Sequence, residues 1–245
     1  MPFDGYMGDE IDTTAYLEKV LSDSSSGIDL PAAIIVETVQ GEGGINVPDA
    51  HYLKELRALC DEKSWLLILD EIQTGNGRTG SYFHYQQHNV LPDIVTTAKG
   101  LANGFPLGAC LARSTAAEVL QPGNHGSTFG GNPVACAAGC ATVKTILQEN
   151  LSENAKEIGQ YLLQRFKEEL EGNQHIVDIR GKGLMLGIEL DQPCAILVAN
   201  AMKKQFLMNV TAGNSIRLLP PLTLNKSQAD DIITIVTQLI HEFYA

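Results

Sequence analysis

AAIIVETVQGEGGINVPDAHYLKELRALCDEKSWLLILDE, residues 32–71, is the stretch on which the fold turns. Its two ends, AAIIVE (Ala32 to Glu37) and WLLILDE (Trp65 to Glu71), are short unbroken apolar runs, the pattern of strands buried on both faces of a parallel sheet. Between them PDAHYLKELRALCDEKS reads as a helix opened by Pro48 and Asp49. Strand, helix and strand in that order predict an α/β domain with right-handed crossovers.

Working outward, PDIVTTAK supplies a third strand just before Lys99, and GGNPVACAAGCATVKTILQEN predicts a long buried helix from near Pro133. Upstream, the first 30 or so residues are polar, with a helical stretch at TTAYLEKVL and a Ser-rich break at SDSSSG. Beyond about residue 150, LSENAKEIGQYLLQRFKEEL is an amphipathic helix and IVDIRGKGLMLGIEL two strands around a Gly-rich turn. A helix around Ala195 to Lys204, a strand pair around FLMNV and SIRLLP, and a terminal helix from Lys226 complete a smaller α/β unit. The expected division is residues 1–149 and 150–245.

Composition narrows the function classes. Seventeen Lys and Arg against 29 Asp and Glu give 245 residues a net charge of −12, which repels phosphate backbones and anionic headgroups. Neither nucleic acid nor a membrane surface is expected as a partner. No apolar run approaches the roughly 18 residues of a membrane span, and the opening MPFDGYMGDE lacks the basic and apolar regions of a signal peptide. A cytoplasmic location is expected. Cys60, Cys110, Cys136, Cys140 and Cys194, odd in number and mostly in apolar surroundings, suit reduced core thiols, with the Cys136 and Cys140 pair given to packing.

In open parallel sheets ligands bind beyond the carboxyl ends of the strands. Here the residues at those ends are Glu37, Asp70 and Lys99. Any one of them alone reads as a solvated charge where a strand leaves the sheet. Together they bring two carboxylates and an amine to one edge. A lysine among small residues, TTAKGLANG, has the chemistry of a Schiff base if desolvation frees its lone pair. A carboxylate at a neighbouring strand end is what pyridoxal phosphate needs against its ring nitrogen.

Other patterns carry less. Gly75, Gly77 and Gly80 spell GxGxxG, but SYFHYQQH after them is no apolar helix start, so no dinucleotide site is predicted. His84 and His88 have two-ligand spacing without a third ligand in view, and no metal site is predicted. The QGEGG turn reads as a strand exit that positions Glu37.

VETVQGEGGINV, LLILDEIQTGNGRTG, PDIVTTAKGLANGFPLGA and HGSTFGGNP, in this order and spacing, resemble the class III (ornithine and acetylornithine type) pyridoxal-phosphate aminotransferases of fold type I, from about residue 30 onward. The resemblance implies a partial large domain with a mostly parallel sheet, then a smaller α/β C-terminal domain. It implies Lys99 as the Schiff-base lysine and proton carrier, Asp70 against the pyridinium nitrogen, and Gln73 at the ring's phenolic oxygen. Thr128, assisted by Ser127, would bond cofactor phosphate, in this family usually the neighbouring subunit's. Arg217, in NSIRLLPPL, would grip the substrate carboxylate, and Glu37 would gate that site by pairing with an arginine. The cofactor implied is pyridoxal 5'-phosphate, the partners an amino acid, a 2-oxo acid and a second copy of the chain.

Two departures matter. Thr38 follows the gate glutamate where the family usually has proline, and with MPFDGY and SSSGIDLPAA this resembles the diaminobutyrate branch, whereas Leu66 onward resembles the acetylornithine branch. The sequence also begins partway into the family's large domain, with no match to its phosphate cradle, its ring-stacking aromatic or its upstream substrate arginine. The expected function is therefore transfer of an amino group from N-acetylornithine to 2-oxoglutarate in arginine biosynthesis, by an N-terminally truncated relative. Diaminobutyrate or ornithine transamination, or an inactive fragment, are the alternatives.

Overall fold

The computed structural model describes residues 1–8 and 10–245, which form two compact units, Met1–Thr38 with Pro48–Gln73 and His84–Thr142, and Val39–Val47 with Thr74–Phe83 and Val143–Ala245. The opening stretch folds as its pattern predicts. Strand β1 (Ala33–Glu37) and strand β2 (Leu66–Asp70) pair in parallel, with Glu37 opposite Asp70, and helix α2 (Tyr52–Lys63) connects them after helix α1 (Thr13–Ser22). Strand β3 (Ile94–Thr97) adds in parallel with Thr96 opposite Asp70, and β4 (Ala109–Ala112) adds antiparallel, giving the order β1-β2-β3-β4.

Helix α2 buries Leu53, Leu56, Leu59 and Cys60 against Ile34, Leu67 and Leu69. Each such side chain contributes about 2 kcal/mol relative to exposure. The helix begins later than the sequence suggests: Asp49 Oδ1 accepts from the His51 N–H (3.0 Å), a local turn that competes with helical bonding. It stops at Ser64, left-handed at φ 57, after which Trp65 N–H returns to Cys60 O (2.9 Å) and aims the chain into β2.

A second staple ties β2 to β3. Asp93 accepts from Leu67 N–H (2.9 Å) and pairs with Arg57 (2.7 Å) and, more loosely, Arg113 (3.4 Å). Burial pushes this carboxyl up, but the Leu67 hydrogen bond and the two guanidinium groups outweigh it and leave it below the usual carboxylate value.

Three expectations fail for one reason. Over β1–β3 the sheet is fully buried only on its α2 face: Ile35, on the other face, is 67% exposed, Ile68 and Ile94 there are half-buried, and all four residues of β4 are exposed. Helix α4 (Pro133–Gln148), after the short α3 (Ser114–Val119), is not the buried helix its composition suggests; Ala135, Gly139 and Ile146 are buried, whereas Val134 and Leu147 are exposed. Nor are all the cysteines core thiols: Cys60 and Cys194 are buried and pushed up to about 11 by burial, but Cys110 and Cys140 are exposed and Cys136 is half-buried. In each case apolar composition marks a surface to be covered, and the described residues do not fully cover it.

In the second unit, helix α5 (Leu151–Glu169) leads to strands β5 (Ile176–Lys182) and β6 (Met185–Leu190). Helix α6 (Ile196–Lys203), strands β7 (Asn209–Thr211) and β8 (Ser215–Leu218) and helix α7 (Lys226–Tyr244) follow, and the antiparallel sheet runs β5-β6-β8-β7. One face carries Ile179, Leu186, Ile188 and Ile216 into a core with Leu162, Phe166, Val236 and Leu239 of α5 and α7. Helix α7 starts on a reciprocal cap between Asn225 and Gln228. The GxGxxG residues belong here: Arg78, between two of those glycines, reaches Leu184 O and Pro220 O, and burial lowers its pKa to about 10. A Cβ at Gly183 (φ +53) would lie 2.6 Å from Arg78 O, so glycine is required where this segment crosses the β5–β6 turn.

Among the described residues no helix is long and apolar enough to cross a membrane.

Candidate active site

The sheet of the first unit brings the strand-end residues into one row. Parallel register sets Glu37 beside Asp70 and Asp70 beside Thr96 at the carboxyl ends of β1, β2 and β3. Neighbouring strands are ~4.8 Å apart, and in-register residues share a face. That face is the less buried one, shared with Ile35, Ile68 and Ile94 two residues back along each strand. Asp70 Oδ1 accepts from Ile72 N–H (2.9 Å), which turns the chain as it leaves β2. Its neighbour Glu71 points elsewhere: fully buried, it accepts from His84 N–H (3.0 Å) and Tyr85 N–H (2.9 Å) and holds the following 3-10 turn (His84–His88).

Lys99 follows β3 after Ala98 and opens a 3-10 turn (Lys99–Ala102) with φ +44. Left-handed backbone costs a residue with a Cβ about 1–2 kcal/mol, and such strain gathers where a side chain must point in one particular direction. Lys99 is exposed, so the desolvation expected of it is not provided by the described residues. Gln73 is half-buried. Ser127 and Thr128 lie in an exposed turn before α4, where Asn132 Oδ1 caps Ala135 N–H (2.9 Å).

Arg217 lies on β8 in the second unit, 8% exposed. Its Nη1 pairs with Glu42 Oε1 at 2.6 Å, and its buried Nε has no hydrogen-bond partner among the described residues. The carboxylate paired with Arg217 in the structure is Glu42 of the QGEGG turn, five residues beyond Glu37, for which the gate role is expected. From sequence the turn reads mainly as a strand exit, although an acid flanked by three glycines also signals that the backbone there serves a side chain. Arg180, which holds the same turn through Gly44 O and Ile45 O, was also missed, since a lone strand arginine looks ordinary.

His84 and His88 meet Nε2 to Nε2 at 3.2 Å, and no three His, Cys, Asp or Glu side chains gather as a metal site among the described residues.

Comparison with known proteins supplies the family. Residues 8–240 match the family model Aminotransferase class-III. The acetylornithine aminotransferase of Nitrosomonas europaea is 51% identical over 211 residues, 86% of this chain and 54% of that protein. Among solved structures, an ornithine aminotransferase from Toxoplasma gondii superposes with TM-score 0.87 at 36% identity, covering 96% of this chain and 56% of that one. An acetylornithine aminotransferase from Elizabethkingia anophelis gives TM-score 0.85 at 37% identity, covering 94% and 58%. The chain spans about half the length of the curated relatives it matches. With the α/β architecture and the strand-end row of Glu37, Asp70 and Thr96 leading to Lys99, these matches show that the chain belongs to the class III aminotransferases.

Proposed function

We propose that this chain furnishes cofactor and substrate residues of a pyridoxal-phosphate-dependent aminotransferase of the acetylornithine type. It would move the amino group of N-acetylornithine, or a related ω-amino compound, to 2-oxoglutarate in arginine biosynthesis. The observation that carries the reading is Lys99, held left-handed at the end of β3 beside the strand that ends in Asp70. Relatives named acetylornithine aminotransferase at 51% identity favour that substrate over ornithine.

The donor set fits pyridoxal phosphate in kind. Lys99 offers an amine to its aldehyde carbon, Asp70 a carboxylate to its ring nitrogen, Gln73 an amide to its phenolic oxygen, and Thr128 with Ser127 hydroxyls to its phosphate. When bound, the cofactor supplies an electron sink for the charge that develops at the substrate Cα. With the cofactor bound, Lys99 Nζ would take the proton from the substrate Cα and return it during the exchange. Arg217 receives a substrate carboxylate in a bidentate pair, and Glu42 neutralises the guanidinium when none is there. Glu37, beside Asp70 at the edge of the strand-end row, would help shape that surface of the first unit.

Residues 1–149 are assigned to the cofactor domain and residues 150–245 to the small domain, with Val39–Val47 and Thr74–Phe83 packed into the compact unit of the latter. A cytoplasmic homodimer is proposed; the exposed Thr128 turn, which the family resemblance assigns to a neighbour's phosphate, supports the homodimer. Turnover of acetylornithine, ornithine and 2,4-diaminobutyrate with 2-oxoglutarate tests the substrate; acetylornithine is expected to be fastest, and a preference for either free terminal amine overturns the choice.

A further inference from the structure

Four residues lie in one row across the sheet of the second unit: Arg180 on β5, Gly187 on β6, Arg217 on β8 and Asn209 on β7. The turn Gly41–Asn46 sits on this row. Ile45, fully buried, stands over Gly187, where an added Cβ would meet Ile45 Cβ at 3.0 Å; the missing side chain is the seat of the turn. The turn itself is strained, because Ile45 is β-branched and left-handed at φ 59.

Two arginines flank that seat with different tasks. Arg180 donates from Nε to Ile45 O (2.9 Å) and from Nη2 to Gly44 O (2.7 Å) and Asn46 Oδ1 (3.2 Å). Its charge is met from below by Glu189 (2.6 Å) and Asp178 (3.1 Å). Neutralised in this way, Arg180 does not compete for Glu42, whose carboxylate goes to Arg217 (2.6 Å). On the far side, the Thr211 hydroxyl donates to Glu42 O and pins the backbone of the gate residue itself.

We propose that Arg180 is a positioning residue for the Glu42–Arg217 gate: it holds the strained turn in place, so the gate opens by rotation of the Glu42 side chain alone. This rests on reading Arg217 as the arginine for the substrate carboxylate. A fixed turn keeps the Glu42 carboxylate at high effective concentration next to Arg217, and an incoming carboxylate must displace it without reordering the backbone. Loosening the turn weakens the internal competitor in the same way as removing it.

The test uses the full chain without cofactor or substrate, so its failure is distinct from failure of the transaminase reading. The Arg217 Nε–Hε resonance is recorded for wild type, Arg180→Lys, Glu42→Gln and the double variant, alongside amide exchange over residues 41–47 and the thermal midpoint. Arg180→Lys is expected to raise exchange in the turn about tenfold and to move the Arg217 signal toward its position in Glu42→Gln. In the Glu42→Gln background the same change is expected to leave that signal where it is. A signal that stays at the wild-type position in Arg180→Lys, or that shifts equally in both backgrounds, overturns the proposal. Thr211→Val, which loosens the turn from the other side, is the second variant, expected to shift the signal in the same direction should Arg180→Lys fold poorly.

Discussion

At the scale of single residues, Lys99 shows what strain is for. Its φ of +44 is a conformation that asparagine tolerates better than lysine. Lys99→Asn is therefore expected to stabilise the chain by about 0.5–1 kcal/mol in chemical denaturation while removing the amine that the proposed reaction needs. A loss of stability would mean that the backbone there is relaxed rather than held for function. Arg217→Lys keeps the charge and loses the fork. With Nε already lacking a partner among the described residues, it is expected to weaken carboxylate binding by 10-fold or more, about 1.4 kcal/mol, read as a raised KM with little change in kcat. The strand ends marked Lys99 and Asp70 as candidates, and the family motif marked Arg217. Glu42's contact with Arg217 was not legible, since it spans 175 residues, and the glycines around the acid signal a turn without naming its partner.

At the scale of elements, the crossover from β1 through α2 to β2 was legible from two apolar runs and an amphipathic helix between them. What periodicity could not show was which faces find partners. Helix α4, with small alanines and cysteines on all sides, reads as buried, and the structure fully buries it only at Ala135, Gly139 and Ile146. The Asp93 staple gives a pH prediction with a definite sign. Its folded-state pKa is depressed, so its contribution to stability is present above the unfolded carboxylate value of about 3.9 and lost as pH falls through the lower folded value. Asp93→Asn is expected to cost about 2 kcal/mol at neutral pH and to flatten the decline in unfolding free energy between about pH 5 and pH 2. An unchanged decline would assign the acid sensitivity to other carboxylates. At the other sheet, Gly187→Ala presses on Ile45 Cβ and is expected to cost about 1–3 kcal/mol. Hydrogen exchange would show the loss concentrated in residues 41–47.

At the scale of the whole molecule, large apolar side chains stay open to solvent: Phe129 is 82% exposed, and Val119, Val134 and Leu147 are exposed too. Surfaces of this kind mark interaction sites or aggregation liabilities. The net charge of −12 opposes close approach between copies at low ionic strength, so self-association measured by light scattering is expected to rise with added salt as well as with concentration. A monomer across both series would contradict the proposed homodimer. The same acidic balance leaves the anionic cofactor and substrates to a few local groups, foremost Lys99, Thr128 and Arg217. The most direct measurement is to incubate the chain with pyridoxal phosphate, reduce with borohydride and map the labelled peptide. A single pyridoxyl group on Lys99 is expected. A label on another lysine, or none at all, contradicts the assignment of Lys99 and with it the proposed activity.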